Sequence, residues 1–311
     1  MSAQLTLGID VGGTKIAAAL IDEEGRVYDW RSTPTLAAEG AEAVLERIIA
    51  LARGVIASAP PSLPRPVAVG VGTGGHVDPV SGDVLFATGL LPGWGGLPLA
   101  RRLRVALGLP TWAANDAHTM ALGEAIHGAG RGLRYGLYVA VGTGVGGGWV
   151  LDGQLYGGRS GLAGSVGHVQ VEAHGRPCTC GGRGCVEQYA SGPAIAEHYR
   201  RLRGLRQAPS GQEVADALQA GDQLARHAFE EAGRWLGMAL ASLVNAMEPE
   251  AIVIGGGVAT VGEPFLEAIR AGLAVHAMPQ VRSTPVRAAE LGARAGVIGA
   301  GVLARQGLAR I

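Results

Sequence analysis

His168, Cys178, Cys180 and Cys185 are the residues whose types and spacing most directly imply chemistry in this chain. They include every cysteine of the sequence, and together they offer one imidazole and three thiolates, the soft donors that close a tetrahedral structural zinc site. Gly175, Gly181, Gly182 and Gly184 punctuate the same run, so there is little side chain to pack and zinc would replace a core the loop cannot build. His174 precedes Gly175 and is expected to face solvent. The odd, sparse cysteine count excludes a disulfide scaffold.

A second chemistry is written in glycine. Residues 5 to 22, LTLGIDVGGTKIAAALID, read as strand, glycine turn, strand, and residues 137 to 152, LYVAVGTGVGGGWVLD, read the same way. One offset pairs Gly12 with Gly142 and Asp22 with Asp152, as an internal duplication would. Glycine lets the backbone approach a ligand closely, and successive N–H groups in such turns form nests for phosphate oxygens. Asp10, ending the first strand, could orient a hydrated Mg²⁺, Thr14 could add a hydroxyl and Lys15 could balance charge, a solvent-facing side chain being the alternative for Lys15. Gly255, Gly256 and Gly257 follow another strand-like run. Neither a Walker A motif nor a dinucleotide fingerprint accounts for the pattern.

The elements that must position these groups alternate. PVAVGVG (66 to 72) and EAIVIGGGVA (250 to 259) read as buried parallel strands, and residues 40 to 57 and 231 to 247 carry apolar side chains at helical spacing. The proline-rich stretch from 58 to 66 reads as a surface loop. Such alternation implies an α/β architecture, and the length implies two lobes facing a shared cleft. The boundary is expected near Asn115 to Ala117, giving a small lobe of 1–116 completed by a helical tail from about 297 to 311. The large lobe would be 117–296 and hold the zinc loop, 168–185. Lys plus Arg and Asp plus Glu both total 26, which removes the positive field that drives nucleic-acid binding. With no leader and no membrane-length apolar run, a cytoplasmic protein with a small-molecule partner is expected.

DVGGTKIAAALID, ANDAHTMALGE, VGTGVGGG, GLAGSVGH and CTCGGRGCVEQYASG occur in the order found in the ROK family of bacterial sugar kinases, repressors and open reading frames, which nearly the whole chain resembles. The resemblance implies the two-lobed actin-like ATPase fold, with duplicated lobes around an interlobe cleft that binds ATP. It implies phosphorylation of an aldohexose, glucose by default, on its primary hydroxyl. Asp116 matches the general base and Asn115 a sugar contact; one carboxylate at hydrogen-bonding reach suffices for this chemistry. Capping of a helix beginning around Ala117 is the ordinary alternative for Asp116. His168 is expected to serve zinc and sugar through its two ring nitrogens, Glu187 to accept sugar hydroxyls, and Gly75 to line the sugar site. Gly12, Gly13, Gly72, Gly142, Thr143, Gly144, Gly256 and Gly257 would line the nucleotide side, and a homodimer is the default by resemblance.

Departures point to the acceptor. Gly74-Gly75 stands where the family commonly has Pro-Gly, Leu90 where an Asn often precedes Leu-x-Gly-Trp, and Ser165 where a sugar-binding glutamate is usual. N-acylhexosamines or a cyclitol are therefore alternative substrates, and a catalytically weak sugar sensor is an alternative role. A repressor would need a helix-turn-helix for which the few residues before Gly8 leave no room.

Overall fold

A computed structural model of the chain describes residues 4–87, 89 and 91–311. The departure noted at Leu90 lies outside the described residues. By contact density the chain divides into one unit of residues 1–132, 148–163 and 293–311 and another of 133–147 and 164–292.

The first unit is built on a five-stranded sheet. Its strands are β1 (Thr6–Val11), β2 (Lys15–Ile21), β3 (Val27–Pro34), β4 (Ala68–Thr73) and, after a short β5 (His76–Val77) and β6 (Val84–Phe86) ribbon, β7 (Thr111–Asn115), in the order β3-β2-β1-β4-β7. β1 pairs antiparallel with β2 and parallel with β4, and β4 parallel with β7. Between strands run α1 (Ala41–Ser58) and α2 (Leu99–Leu107); α3 (Asp116–His127) follows β7. The strand period of two sorts the faces. Leu7, Ile9 and Val11 of β1 and Val69 and Val71 of β4 join Val44, Leu45 and Ile48 of α1 in one core. The opposite face presents Gly8 and Gly70, where a Cβ would collide with the Val297 and Ala300 carbonyls of the C-terminal helix. Glycine there admits helix backbone directly onto the sheet. Gly72 belongs to the same face, where a Cβ would meet Thr119 of α3, so its missing side chain serves helix packing.

The second sheet repeats the plan with β8 (Tyr135–Val141), β9 (Val145–Leu151), β10 (Gln154–Tyr156), β11 (Ala251–Gly255) and β12 (Val286–Ala288), ordered β10-β9-β8-β11-β12. β9 begins in the second unit and passes into the first between Gly147 and Gly148. β2 and β9 start and end at positions matched by the offset that pairs Gly12 with Gly142, and both sheets carry one parallel triple extended by antiparallel strands. The helices of the second unit are α4 (Glu187–Ala190), α5 (Gly192–Arg203), α6 (Gly211–Gln219), α7 (Gln223–Met247) and α8 (Glu263–His276). The helix expected over 231–247 starts earlier, at Gln223, because the Asp222 carboxylate caps the N–H groups of Leu224 and Ala225. α7 packs against α8, with Gly233 and Gly237 meeting the α8 backbone.

The last helix, α9 (Ala295–Leu308), returns to the first unit and packs on β1, β4 and α3. That packing moves the boundary. The division falls after Gly132, not after Asp116, since α3 is held against α9 on the sheet of the first unit.

Candidate active site

Strand alternation places Asp10 on the α9 side of β1, together with Thr6 and Gly8. A Cβ built on Gly296, in the first turn of α9, would lie 2.8 Å from the Asp10 carboxylate. Asp116 opens α3 directly after β7. Burial first, then the charge of Asp116, pushes the Asp10 carboxyl up to about 7, and Lys15 opposes the shift. The Lys15 ammonium stands 6.0 Å from the centre of the Trp30 ring. Asp116 is solvent-accessible, yet crowding by protein raises its pKa as well, against the Ala117 N–H, its own N–H, His118 and Asn115. Two carboxylates that both resist ionisation suit a site completed by a cation and its phosphates, and their oxygen donors are the class that Mg²⁺ takes.

The residue that caps α3 is Asn115. Its Oδ1 accepts the Ala117 N–H at 2.9 Å and its Nδ2 donates to the Gly75 carbonyl at 2.9 Å. Asp116 Oδ1 also accepts from Ala117 N–H at 2.9 Å, which fixes the carboxylate orientation without making it the cap. A Cβ on Gly74 would lie 4.0 Å from Asp116 Oδ2, so the Gly74-Gly75 departure borders this carboxylate. His118 escaped the sequence reading: it is buried, contacts the Ala163 carbonyl through Nε2 at 2.8 Å, and is pushed down by desolvation. The Asn-Asp-Ala-His run was its only available signal.

The glycine turns differ in their neighbours. Gly12 N–H donates to the Lys15 carbonyl at 3.0 Å, and Thr35 Oγ1 donates to the Gly12 carbonyl at 2.6 Å. Gly13 is half-buried and Thr14 is exposed. In the second unit, Gly142 accepts the N–H of Gly192 at the start of α5 at 2.8 Å, and Thr143 is exposed. Glu187, the first residue of α4, accepts the Val145 N–H through Oε2 at 2.9 Å. A Cβ on Gly144 would stand 2.6 Å from that same oxygen, so glycine is what lets the carboxylate dock on the turn. Gly256 and Gly257 are exposed after β11, Gly256 at φ +87°.

His168, Cys178, Cys180 and Cys185 converge, with all ligand atoms within 4.8 Å of one another. Cys180 Sγ and Cys185 Sγ are 3.6 Å apart, and Cys178 Sγ is 3.8 Å from His168 Nδ1. A tetrahedral shell with ordinary Zn–S and Zn–N bonds separates its ligand atoms by roughly 3.6–3.8 Å, while a disulfide needs about 2.05 Å. The residues therefore fit zinc. Burial, with hydrogen bonds from Cys180 and Cys178 behind it, pushes the Cys185 thiol up to about 12, and the Gly182 N–H pulls Cys180 down. The loop has little apolar filling and is closed by short backbone bridges between Gln170 and Cys185 and between Pro177 and Arg183. His174 is exposed and outside the cluster. Ser165 is exposed at the turn that carries His168, whose N–H donates to the Ser165 carbonyl at 3.0 Å.

The family model described as ROK matches residues 6–307. A glucokinase of Streptomyces coelicolor is 33% identical over 320 residues, covering 97% of this chain and 98% of its own. An N-acetylmannosamine kinase of Salmonella heidelberg is 37% identical over 305 residues, covering 96% and 98%. Among solved structures, a ROK family glucokinase from Streptomyces griseus in complex with glucose and AMPPNP aligns with a TM-score of 0.85 at 36% identity, covering 97% of this chain and 99% of that one. With the two repeated sheets and the carboxylate pair that ends one of them, these matches establish that the chain belongs to the ROK family.

Proposed function

We propose that this chain transfers the γ-phosphoryl group of ATP to the primary hydroxyl of an aldohexose, with glucose as the default acceptor and Asp116 as general base. The observation that carries the reading is the Asp116 carboxylate, oriented by the Ala117 N–H beside the burial-raised Asp10. The family membership and the glucokinase relatives support the reaction class.

The hydroxyl oxygen attacks the γ-phosphorus while the bond to the leaving ADP oxygen breaks, and Asp116 takes the hydroxyl proton. A positioned base of this kind contributes about 10²–10⁴ in rate. Phosphoryl transfer otherwise asks for positioning and charge neutralisation. Gly12, Gly13, Thr14, Gly142, Thr143, Gly144, Gly256 and Gly257 would meet phosphates and nucleotide, and Lys15 would offset charge. Asp10 would hold a Mg²⁺, which when bound neutralises phosphate charge. Asn115, Gly75, His168 and Glu187 would hold the sugar, Glu187 being fixed by Val145 N–H through one oxygen. His168, Cys178, Cys180 and Cys185 would hold a zinc ion that keeps the loop folded, and metal analysis of the purified protein should find it. A cytoplasmic homodimer with sugar and ATP as its partners, and neither nucleic acid nor membrane, completes the reading; among the described residues no helix is long and apolar enough to cross a membrane.

Ser165 favours a second acceptor class. A serine in place of an acidic sugar contact weakens a hydroxyl donor's anchorage by about 1.5–3 kcal/mol, and the N-acetylmannosamine kinase relative is similar over almost the full length. ADP release should be compared for glucose, mannose, their N-acetylamino forms and a cyclitol, in wild type and in Ser165→Glu. A pocket reshaped for another sugar predicts that Ser165→Glu gains kcat/KM on glucose and loses it on the native acceptor. Efficient glucose use by wild type that the variant lowers would refute Ser165 as a missing contact.

A further inference from the structure

α5 and α7 carry a second group of donor side chains away from the residues discussed above. His227 and Glu231 are one helical turn apart on α7 and share a face. His198 on α5 meets them across the contact between the two helices. One ligand atom from each of the three lies within 4.8 Å of the other two. Glu231 Oε2 is 3.2 Å from His198 Nε2 and 3.7 Å from His227 Nε2, so both imidazoles converge on a single carboxylate oxygen.

An ion pair explains this arrangement poorly. His198 Nε2 is buried and makes no hydrogen bond, although an oxygen stands 3.2 Å away, because the ring nitrogen is not directed at it. The two rings are 5.9 Å apart and tilted by 38°, so protonating both would set like charges side by side. Arg176 and Arg201 add positive charge near His198; Arg201 is engaged by Glu197 at 2.9 Å and Arg176 lies over the Tyr189 ring. A cation among the three donors would take the lone pairs of both neutral rings and the carboxylate charge together. Ligands about 2.0–2.2 Å from such an ion sit roughly 3.3–3.5 Å apart, close to the separations seen.

We infer that His198, His227 and Glu231 form a second metal site, a two-imidazole, one-carboxylate set that takes a borderline divalent cation such as Zn²⁺ or Co²⁺ and clips α5 to α7. This donor set selects imidazole-binding transition metals over Mg²⁺ and Ca²⁺, and three protein ligands leave a coordination position for water. His227 is about half exposed, which gives the ion a path in. The clip has a structural consequence, since the first N–H of α5, at Gly192, holds the Gly142 carbonyl of the second glycine turn. Metal at His198, midway along α5, braces the helix on which that turn leans.

Co²⁺ titration of the full chain, followed by absorption and by metal analysis after dialysis, tests the site. Wild type should bind one more ion per chain than Glu231→Gln or His227→Ala, and that ion should show cobalt d–d bands without thiolate charge transfer. Cys180→Ser should leave it in place. Because both substituted side chains are partly exposed, the variants should keep the wild-type melting profile without added metal, and lose only the rise in Tm that Co²⁺ gives wild type. Equal metal content in wild type and both variants, or loss of this ion only when Cys180 is changed, would overturn the site. Neither result depends on turnover, so the count stands apart from the kinase reading.

Discussion

The turns at Gly12 and Gly142 follow one backbone plan and are braced by different partners. The first is closed on itself: Gly12 bonds to Lys15 within the turn, and Thr35 clasps the Gly12 carbonyl from the adjoining strand end. The second closes within the turn as well, Gly142 N–H donating to the Gly144 carbonyl at 2.9 Å, and it is braced further by Glu187 on the Val145 N–H and by the start of α5 on the Gly142 carbonyl. Duplication preserved backbone shape, while the side chains brought against each copy diverged. The turn that leans on Glu187 is coupled to the loop of His168 and the three cysteines, because Cys185 lies two residues before α4 and Gln188 Nε2 reaches Cys178 Sγ at 3.6 Å. The first copy lies beside the carboxylate pair instead.

If the first unit carries the chemistry, Asp116→Asn should cut kcat about 10²–10⁴-fold while sugar binding by calorimetry stays near wild type. Retention of most of the turnover would place the base elsewhere. The contrast between turns predicts unequal responses to one methyl group. Gly144→Ala sets a Cβ 2.6 Å from Glu187 Oε2 and should raise KM for the sugar about 10–100-fold by displacing a charge-assisted hydrogen bond. Gly12→Ala meets only the Lys15 carbonyl, at 3.2 Å, and should act more weakly and on KM for ATP. Equal effects on both substrates would dissolve the distinction.

A smaller effect separates the units by pH. The folded-state pKa of Asp10 is raised from 3.8 to about 7, so the folded chain keeps a proton that the unfolded chain has released. Its stabilising share is complete below pH 4 and disappears as pH rises to 7, at most about 4 kcal/mol. Urea melts without divalent cations should show stability falling across that window, and falling less in Asp116→Asn, where the neighbouring charge is gone. A stability that rises from pH 4 to 7 would contradict this assignment.

The sequence made the turns legible because glycine clusters after strand-like runs repeat at one offset. The convergence of His168, Cys178, Cys180 and Cys185 was legible because they fall within a short loop, where spacing alone constrains geometry. The α9 face was harder to see. Gly8 and Gly70 fall inside runs that read as strands, but nothing in those runs shows that they admit a helix from the far end of the chain, and that long-range packing also shifted the unit boundary past α3. Asn115 as cap, with Asp116 left for other work, depended on the direction of two adjacent side chains, which no spacing rule separates. The His198, His227 and Glu231 group was invisible for a related reason: its members are brought together only when α5 packs on α7.

The central claim is acceptor-dependent transfer to a primary hydroxyl. ADP release by wild type with Mg²⁺-ATP should be measured with glucose, with 6-deoxyglucose and with no sugar. Turnover with glucose, little or none with the other two, and phosphate on the terminal carbon by NMR is the predicted result. Equal ADP release in all three would contradict the account.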